Sequence, residues 1–177
     1  MEKILVMSYM GTGKTELEKL YKNVVDFDFQ DFKYTYDESV RDLPLEQRKG
    51  SVNLRVDNPN YPINFLNQAL IELETGNIIV SPFIEHVFKA FDSEYFKSKA
   101  HNTRILIVFP ERDNFSEYIE RFKQRGNSKS FIERRKREFD SLANLFETAD
   151  NYERIVVGKG EYLSDVLLKR GIKLQKR

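Results

Sequence analysis

The clearest candidate for chemistry is a short segment near the start of the sequence. It spans residues 8–15 and reads Ser-Tyr-Met-Gly-Thr-Gly-Lys-Thr. Its second half follows the G-x-x-x-x-G-K-[ST] pattern, known as Walker A, whose backbone N–H groups surround a phosphate. In that pattern the lysine reaches the outer phosphates of a nucleoside triphosphate, and the last hydroxyl binds Mg²⁺. The segment therefore predicts a site for ATP and Mg²⁺ made by Gly11, Thr12, Gly13, Lys14 and Thr15, with Thr15 as the metal ligand.

The surroundings of this segment support the same interpretation. An apolar run at residues 4–7 precedes it, and helical spacing over residues 15–21 follows it. The motif needs this strand-to-helix context, because the amino end of a helix adds its unpaired amides to the anion site. Ser8 stands where the pattern has its first glycine. Serine is small enough for a turn that ends a strand, so we keep the prediction.

Two carboxylates follow the second apolar run. Asp26 and Asp28 are two residues apart, and a strand would point both side chains to the same face. At the carboxyl end of a strand that face opens on the ligand crevice of an α/β sheet. One carboxylate there could orient or deprotonate an acceptor hydroxyl, or hold Mg²⁺ through water. We predict a site role for Asp28, while Asp26 could equally have a site role or cap a turn. Ser81 ends the third apolar run where an acid is often found, so the carboxylate that binds Mg²⁺ is left unassigned.

A basic segment in the second half of the chain offers arginines for phosphate. Arg121 and Arg125 are four residues apart and precede Gly126, which gives the segment a hinge. Guanidinium groups on such a hinge could close over a triphosphate and offset the charge that develops on the transferred group. We predict this role for both arginines. The basic run at residues 134–137 is predicted to be a solvated helix face, with nucleic-acid contact as the alternative.

Short apolar runs alternate with stretches of helical spacing along the whole chain. The runs lie at residues 4–7, 24–27, 78–80, 105–109 and 155–157. The helical stretches lie at residues 15–21, 61–74, 84–96, 115–122, 131–148 and 162–170. Continuous apolar runs are typical of strands buried on both faces. The pattern predicts a three-layer α/β P-loop NTPase fold, with a five-stranded, mostly parallel sheet, helices on both faces and a small lid.

The chain length predicts one domain over residues 1–177, with two special segments. Residues 31–61 are polar and charged, and we expect a partly helical excursion. A structureless loop of that length would be unusual in a compact domain. Residues 120–132, which contain the two arginines, are predicted to form the lid.

Composition limits the other classes of site and partner. The chain has no cysteine and only two histidines, which excludes thiolate and histidine-rich metal sites. His86 lies among apolar residues, so a packed or solvent-facing histidine is expected rather than a catalytic one. The net charge of +1 argues against strong nucleic-acid binding. The apolar run near Met1 is too short for a membrane span, so we expect a cytoplasmic protein without a membrane partner. The sequence does not set an oligomeric state.

Several segments together resemble a known group of enzymes. They are the phosphate-binding segment, Val-Val-Asp-Phe-Asp at residues 24–28, Asn-Pro-Asn-Tyr-Pro-Ile-Asn-Phe at 58–65, Ile-Val-Ser-Pro at 79–82 and Glu-Arg-Phe-Lys-Gln-Arg-Gly-Asn at 120–127. Across nearly the whole chain, the sequence resembles small nucleotide kinases often encoded by bacteriophages, related to the nucleoside monophosphate kinases. The resemblance implies that Lys14 and Thr15 hold the donor phosphates and Mg²⁺, and that Asp28 faces the acceptor. It also implies that the excursion at residues 31–61 binds the acceptor and that Arg121 and Arg125 are lid arginines.

We therefore expect an ATP-dependent phosphotransferase that acts on a (deoxy)nucleoside monophosphate or a similar small acceptor, so that its partners are small nucleotides. For a phage protein the compartment would be the host cytoplasm. Two alternatives stay open. The first is a nucleotide-binding module that hydrolyses ATP slowly or not at all, and the second is a kinase for nucleic-acid 5′ ends.

Overall fold

The centre of the molecule is a parallel β-sheet. The computed structural model describes residues 2–177 apart from the side chain of Glu46. Its five-stranded sheet has the order β2-β5-β1-β6-β7, and every neighbouring pair is parallel. The strands are β1 (Lys3–Ser8), β2 (Val24–Asp26), β5 (Ile78–Pro82), β6 (Thr103–Pro110) and β7 (Glu153–Val157). Each of the five predicted apolar runs contributes one strand.

Helices cover both faces of this sheet. Alternate residues of β1 point to opposite sides: Leu5 and Met7 join one apolar cluster, and Ile4 and Val6 join the other. The first cluster is closed by α5 (Ile63–Glu74), α6 (Glu85–Phe91), α7 (Glu94–Lys97), α8 (Phe115–Gln124) and α9 (Lys129–Thr148). The second is closed by α1 (Lys14–Leu20) and α10 (Leu163–Lys169). The predicted three-layer α/β fold, with a five-stranded parallel sheet and helices on both faces, is thus confirmed.

The predicted helical stretches are all present with shifted bounds, and capping serines explain two of the differences. The stretch at residues 84–96 is split, because Ser93 accepts a hydrogen bond from the Phe96 N–H and begins α7 as its cap. The long helix α9 begins at Lys129, two positions before the predicted start, because Ser128 caps it in the same way. Between α8 and α9 the chain turns at Gly126, where φ is 75°. This turn lies in the predicted lid segment.

The excursion between β2 and α5 is built of very short elements. They are α2 (Gln30–Lys33), β3 (Tyr34–Tyr36), α3 (Glu38–Arg41), α4 (Leu45–Arg48), a 3₁₀ turn (Val52–Leu54) and β4 (Arg55–Asp57). Strands β3 and β4 form an antiparallel ribbon apart from the main sheet, with Tyr34 opposite Asp57. The sequence did not predict this ribbon, because three residues are too few to display the alternation of a strand.

The helices of residues 2–177 include none that is long and apolar enough to cross a lipid bilayer. The expected cytoplasmic location stays a prediction.

Candidate functional site

The phosphate loop, residues 8–15, connects β1 to α1 and depends on two glycines. The φ angles of Gly11 and Gly13 are 83° and 102°, in the left-handed region that side chains disfavour. A Cβ at Gly11 would lie 3.1 Å from the Phe122 ring, and one at Gly13 would lie 3.3 Å from the Tyr162 ring. The loop therefore needs glycine both for its turn and for its close packing against neighbouring aromatic rings.

Ser8 and Tyr9 hold the beginning of the loop. The hydroxyl oxygens of Ser8 and Thr12 are 2.5 Å apart and share a hydrogen bond, and Thr12 donates to the Tyr9 carbonyl at 2.8 Å. The Tyr9 ring is fully buried and meets Phe109 edge-on at 4.9 Å between ring centroids. Serine in place of the first glycine of the motif thus adds a hydrogen bond that closes the loop on itself.

Lys14 is the first residue of α1 and is half-buried. Its ammonium group forms no hydrogen bond or ion pair with another residue of the part that the structure describes. Burial lowers the pKa of Lys14, and the negative charges of Asp26 and Asp28 partly oppose that shift. A half-buried cation without a partner, at the amino end of a helix, is well suited to binding a phosphate.

The two carboxylates after β2 lie in different environments. Thr15 donates its hydroxyl hydrogen to Asp26 Oδ2 at 2.8 Å. Asp28 instead forms an ion pair with Lys49 at 3.0 Å and accepts the Gln30 N–H at 2.9 Å. β2 ends at Asp26, so the strand alternation that was expected to point both side chains to the same face stops before Asp28.

The oxygens of Thr15 and Asp26 are suitable ligands for a magnesium ion whose other ligands come mainly from a nucleotide and water. Mg²⁺ prefers oxygen ligands and is usually bound through one or two carboxylates, substrate phosphates and water. Residues 2–177 contain no cluster of three or more histidine or acidic side chains that could hold a metal alone. The buried Ser81 hydroxyl donates to the Phe27 carbonyl at 3.0 Å, so it links two strands instead. Asp26 is therefore the candidate for the Mg²⁺ carboxylate that the sequence left unassigned.

The two predicted lid arginines occupy different positions. Arg125 is exposed at the end of α8, and its positive charge contributes to lowering the pKa of Lys14. Arg121 is only 8% exposed and donates hydrogen bonds to the carbonyls of Gly11 and Glu161 and to the Glu117 carboxylate. Arg121 shares the buried stripe of α8 with Tyr118 and Phe122, and for that reason it lies beneath the loop.

A cleft of about 510 Å³ opens between the excursion and helices α6 and α9. Five cationic side chains and two carboxylates line it: Lys33, Lys49, Arg55, Arg134, Arg135, Glu85 and Glu138. Phe29, Ile84 and Leu142 add apolar surface. The excess of positive charge favours an anionic ligand, and the apolar part favours one that also has a flat or hydrophobic portion.

Arg135 connects this cleft with the phosphate loop. It lines the cleft, is 5% exposed, and its Nη1 lies 3.7 Å from the sulfur of Met10 in the loop. It pairs with Glu138 at 2.8 Å, while its buried Nε has no partner in residues 2–177. The prediction that residues 134–137 form a solvated face is wrong for Arg135. Its spacing from Ile132 and Phe139 places it on the buried stripe of α9, and that periodicity was visible in the sequence.

His86 is another residue of the cleft that the sequence did not favour. Its ring meets Phe29 edge-on at 4.6 Å and approaches Tyr61. Burial lowers the pKa of His86 to about 4, and the nearby Lys33 charge contributes. The imidazole is therefore neutral near pH 7. It is held among aromatic rings at the wall of the cleft.

Comparison with known proteins adds information on the fold. The sequence matches no protein-family model and no curated protein. The structure is similar to a gluconokinase from Sinorhizobium meliloti 1021, with a TM-score of 0.48, 16% identity, and coverage of 94% of this chain and 87% of that one. It is also similar to an uncharacterized protein from Eubacterium ventriosum ATCC 27560, with a TM-score of 0.51, 10% identity, and coverage of 97% and 98%. At these identities the similarity concerns the fold alone.

Proposed function

We propose that this protein is an ATP-dependent phosphotransferase whose acceptor is a (deoxy)nucleoside monophosphate or a similar small phosphorylated molecule. One observation carries the proposal. The phosphate loop, with its unpaired Lys14 and its Thr15–Asp26 pair, adjoins a cationic cleft, and Arg135 touches both. Phosphoryl transfer between two nucleotides requires a donor site that adjoins an anion-binding acceptor site. In this protein the two proposed sites meet at Arg135.

On the donor side, the loop amides and Lys14 bind the β- and γ-phosphates of ATP. Thr15 and Asp26 hold Mg²⁺, which neutralises charge on the phosphate oxygens when it is bound. Arg125 lies next to the hinge at Gly126, and we propose that it moves over the triphosphate as the lid closes. The protein's contribution is then alignment and charge stabilisation, as in other phosphoryl transfers.

On the acceptor side, Arg135 and Lys49 bind the acceptor phosphate at the loop end of the cleft. Phe29 and His86 supply flat surface for a base, and Asp28 orients the acceptor once Lys49 turns toward the incoming phosphate. Bidentate contact by a guanidinium group suits a phosphate better than a single ammonium does.

A transfer assay tests this function directly. Purified protein is incubated with labelled ATP, Mg²⁺ and a panel of nucleoside monophosphates, nucleosides and short oligonucleotides. We expect label on a monophosphate. Label on oligonucleotide 5′ ends would instead identify a nucleic-acid kinase, and ATP binding without any transfer would identify a binding module.

Two lysine variants make the assay specific to the loop. Lys14→Ala should lower the transfer rate by roughly a hundredfold or more, because it removes the cation at the γ-phosphate. The matched control is Lys22→Ala, which removes an exposed lysine just after α1 and should keep wild-type activity. Equal rates for Lys14→Ala and the wild type would contradict the assignment of the loop.

A further inference from the structure

We infer that Arg121 is a positioning residue that aims the amides of the phosphate loop, instead of touching the transferred phosphate. The inference rests on the proposed function, because it assigns a task within the same site. Arg121 differs from Arg125 in both burial and partners: its guanidinium is enclosed beneath the loop and is engaged on several sides.

The guanidinium joins two loops that are far apart in sequence. It donates to the Gly11 carbonyl of the phosphate loop at 2.9 Å and to the Glu161 carbonyl, between β7 and α10, at 2.8 Å. Its planar group also stacks on the Tyr162 ring, with 4.1 Å from the guanidinium carbon to the ring centroid. The same ring limits the space beside Gly13. Arg121 thus fixes the phosphate loop from the side opposite to the ligand.

Glu117 keeps the guanidinium in this place. Its carboxylate pairs with Arg121 one turn along α8 and also accepts the Gly160 N–H at 3.1–3.2 Å. Burial acts to raise the pKa of Glu117, but the hydrogen bonds from the Gly160 N–H and from Arg121, with the charge of Arg121, outweigh it and lower the pKa, so the carboxylate stays ionised near neutral pH. A buried arginine with a charged partner and two carbonyl acceptors has a defined orientation.

Because the peptide bond is planar, a hydrogen bond that fixes a loop carbonyl also fixes the direction of the next N–H group in the loop. In a trans peptide the C=O of one residue and the N–H of the next point in opposite directions. Arg121 holds the Gly11 carbonyl, so the Thr12 N–H points away from Arg121. The Leu163 N–H holds the Thr12 carbonyl at 2.8 Å, so the Gly13 N–H is directed in the same manner. Neither of these two N–H groups has a hydrogen-bond partner in residues 2–177.

The affinity for inorganic tripolyphosphate measures how well the phosphate loop binds phosphate groups, without any contribution from a nucleoside. In calorimetric titrations with Mg²⁺, Arg121→Met should bind tripolyphosphate and ATP roughly tenfold or more weakly than the wild type. Arg121→Lys should fall between the two, since one ammonium group cannot span both carbonyls in the planar arrangement. In the transfer assay the KM for ATP should rise in the same order, with kcat at saturating ATP changed by less than about threefold.

The matched control is Arg104→Met. Arg104 likewise makes a two-point contact, to Glu153, but it is only half-buried and lies at the opposite end of the sheet. This variant should lose stability without any change in tripolyphosphate affinity. If Arg121→Met does not fold, the comparison of Arg121→Lys with the wild type tests the positioning role instead.

The outcomes separate this inference from the proposed function. Wild-type affinity in a folded Arg121→Met protein would overturn the positioning role and leave the phosphotransferase untouched. A fall in kcat with an unchanged KM would also overturn it, because that pattern belongs to a residue that acts on the transition state. A wild-type protein that binds neither tripolyphosphate nor ATP would refute the proposed function itself.

Discussion

At the scale of single residues, the candidate site is defined by charged side chains that the fold leaves available to a ligand. Lys14 is half-buried but unpaired within the described residues, and the buried Nε of Arg135 lacks a partner. Burying an unsatisfied polar group costs free energy, so such groups are usually retained for binding or catalysis. Asp26 adds a carboxylate to this site, because its contact with Thr15 places it beside the hydroxyl that we propose binds Mg²⁺.

Replacing Asp26 tests the metal assignment. Asp26→Asn keeps the size of the side chain but removes its negative charge, so it should raise the Mg²⁺ concentration for half-maximal transfer by roughly tenfold or more. Mg²⁺ titrations of the transfer rate measure this. Asp28→Asn serves as the comparison and should leave the Mg²⁺ requirement close to that of the wild type. The same Mg²⁺ dependence for Asp26→Asn and the wild type would exclude Asp26 as the metal carboxylate.

His86 makes stability depend on pH. Its pKa is about 4 in the folded protein, below the ordinary value of 6.5, so the unfolded chain binds more protons between these values. Stability should therefore fall as pH drops, by about 2 kcal/mol from His86 between about pH 7.5 and about pH 5. Urea unfolding of the wild type and His86→Phe at the two pH values should show a smaller loss in the variant. Parallel losses would show that His86 does not have a depressed pKa.

At the scale of elements, α8 and α9 supply arginines to opposite sides of the phosphate loop. Both helices carry an arginine on their buried stripe, Arg121 on α8 and Arg135 on α9. Arg121 holds a loop carbonyl from beneath, whereas Arg135 faces the cleft and touches Met10. In the proposed function, α8 therefore supports the loop from one side, and α9 supplies the contact with the acceptor on the other.

Removing Arg135 should affect the acceptor more than the donor. In Arg135→Met the KM for the acceptor monophosphate should rise by roughly tenfold or more, while ATP affinity changes little. Arg137→Met is the control, because it removes an exposed arginine from the same helix. Steady-state kinetics with each substrate varied in turn distinguish the two effects. An unchanged acceptor KM would remove Arg135 from the acceptor site.

Sequence patterns predicted the elements that are long and periodic. The strands of the sheet follow from continuous apolar runs, and the phosphate loop follows from its motif together with the strand and helix beside it. The excursion could not be predicted in detail, since its helices and strands are too short to show a period. The ion pair of Asp28 with Lys49 could not be predicted from the sequence either, because it depends on how the excursion folds back. The burial of Arg135, in contrast, could have been predicted from the helical periodicity of the sequence around it.

At the scale of the whole molecule, the fold brings together segments that are distant in sequence. The phosphate loop follows β1, the Asp26 carboxylate ends β2, and the loop bearing Glu161 follows β7. The parallel direction of the strands places all three at the carboxyl edge of the sheet, where α/β proteins bind ligands. The excursion completes this edge through the Lys49–Asp28 ion pair and the wall of the cleft.

The central claim is that the phosphate loop captures a nucleoside triphosphate, and calorimetry with ATP and Mg²⁺ tests it most directly. The wild type should release or absorb heat that fits one site per chain, with a dissociation constant of roughly micromolar order. Folded Lys14→Ala protein should bind at least about tenfold more weakly under the same conditions. No measurable binding by the wild type, or identical isotherms for the two proteins, would contradict the claim.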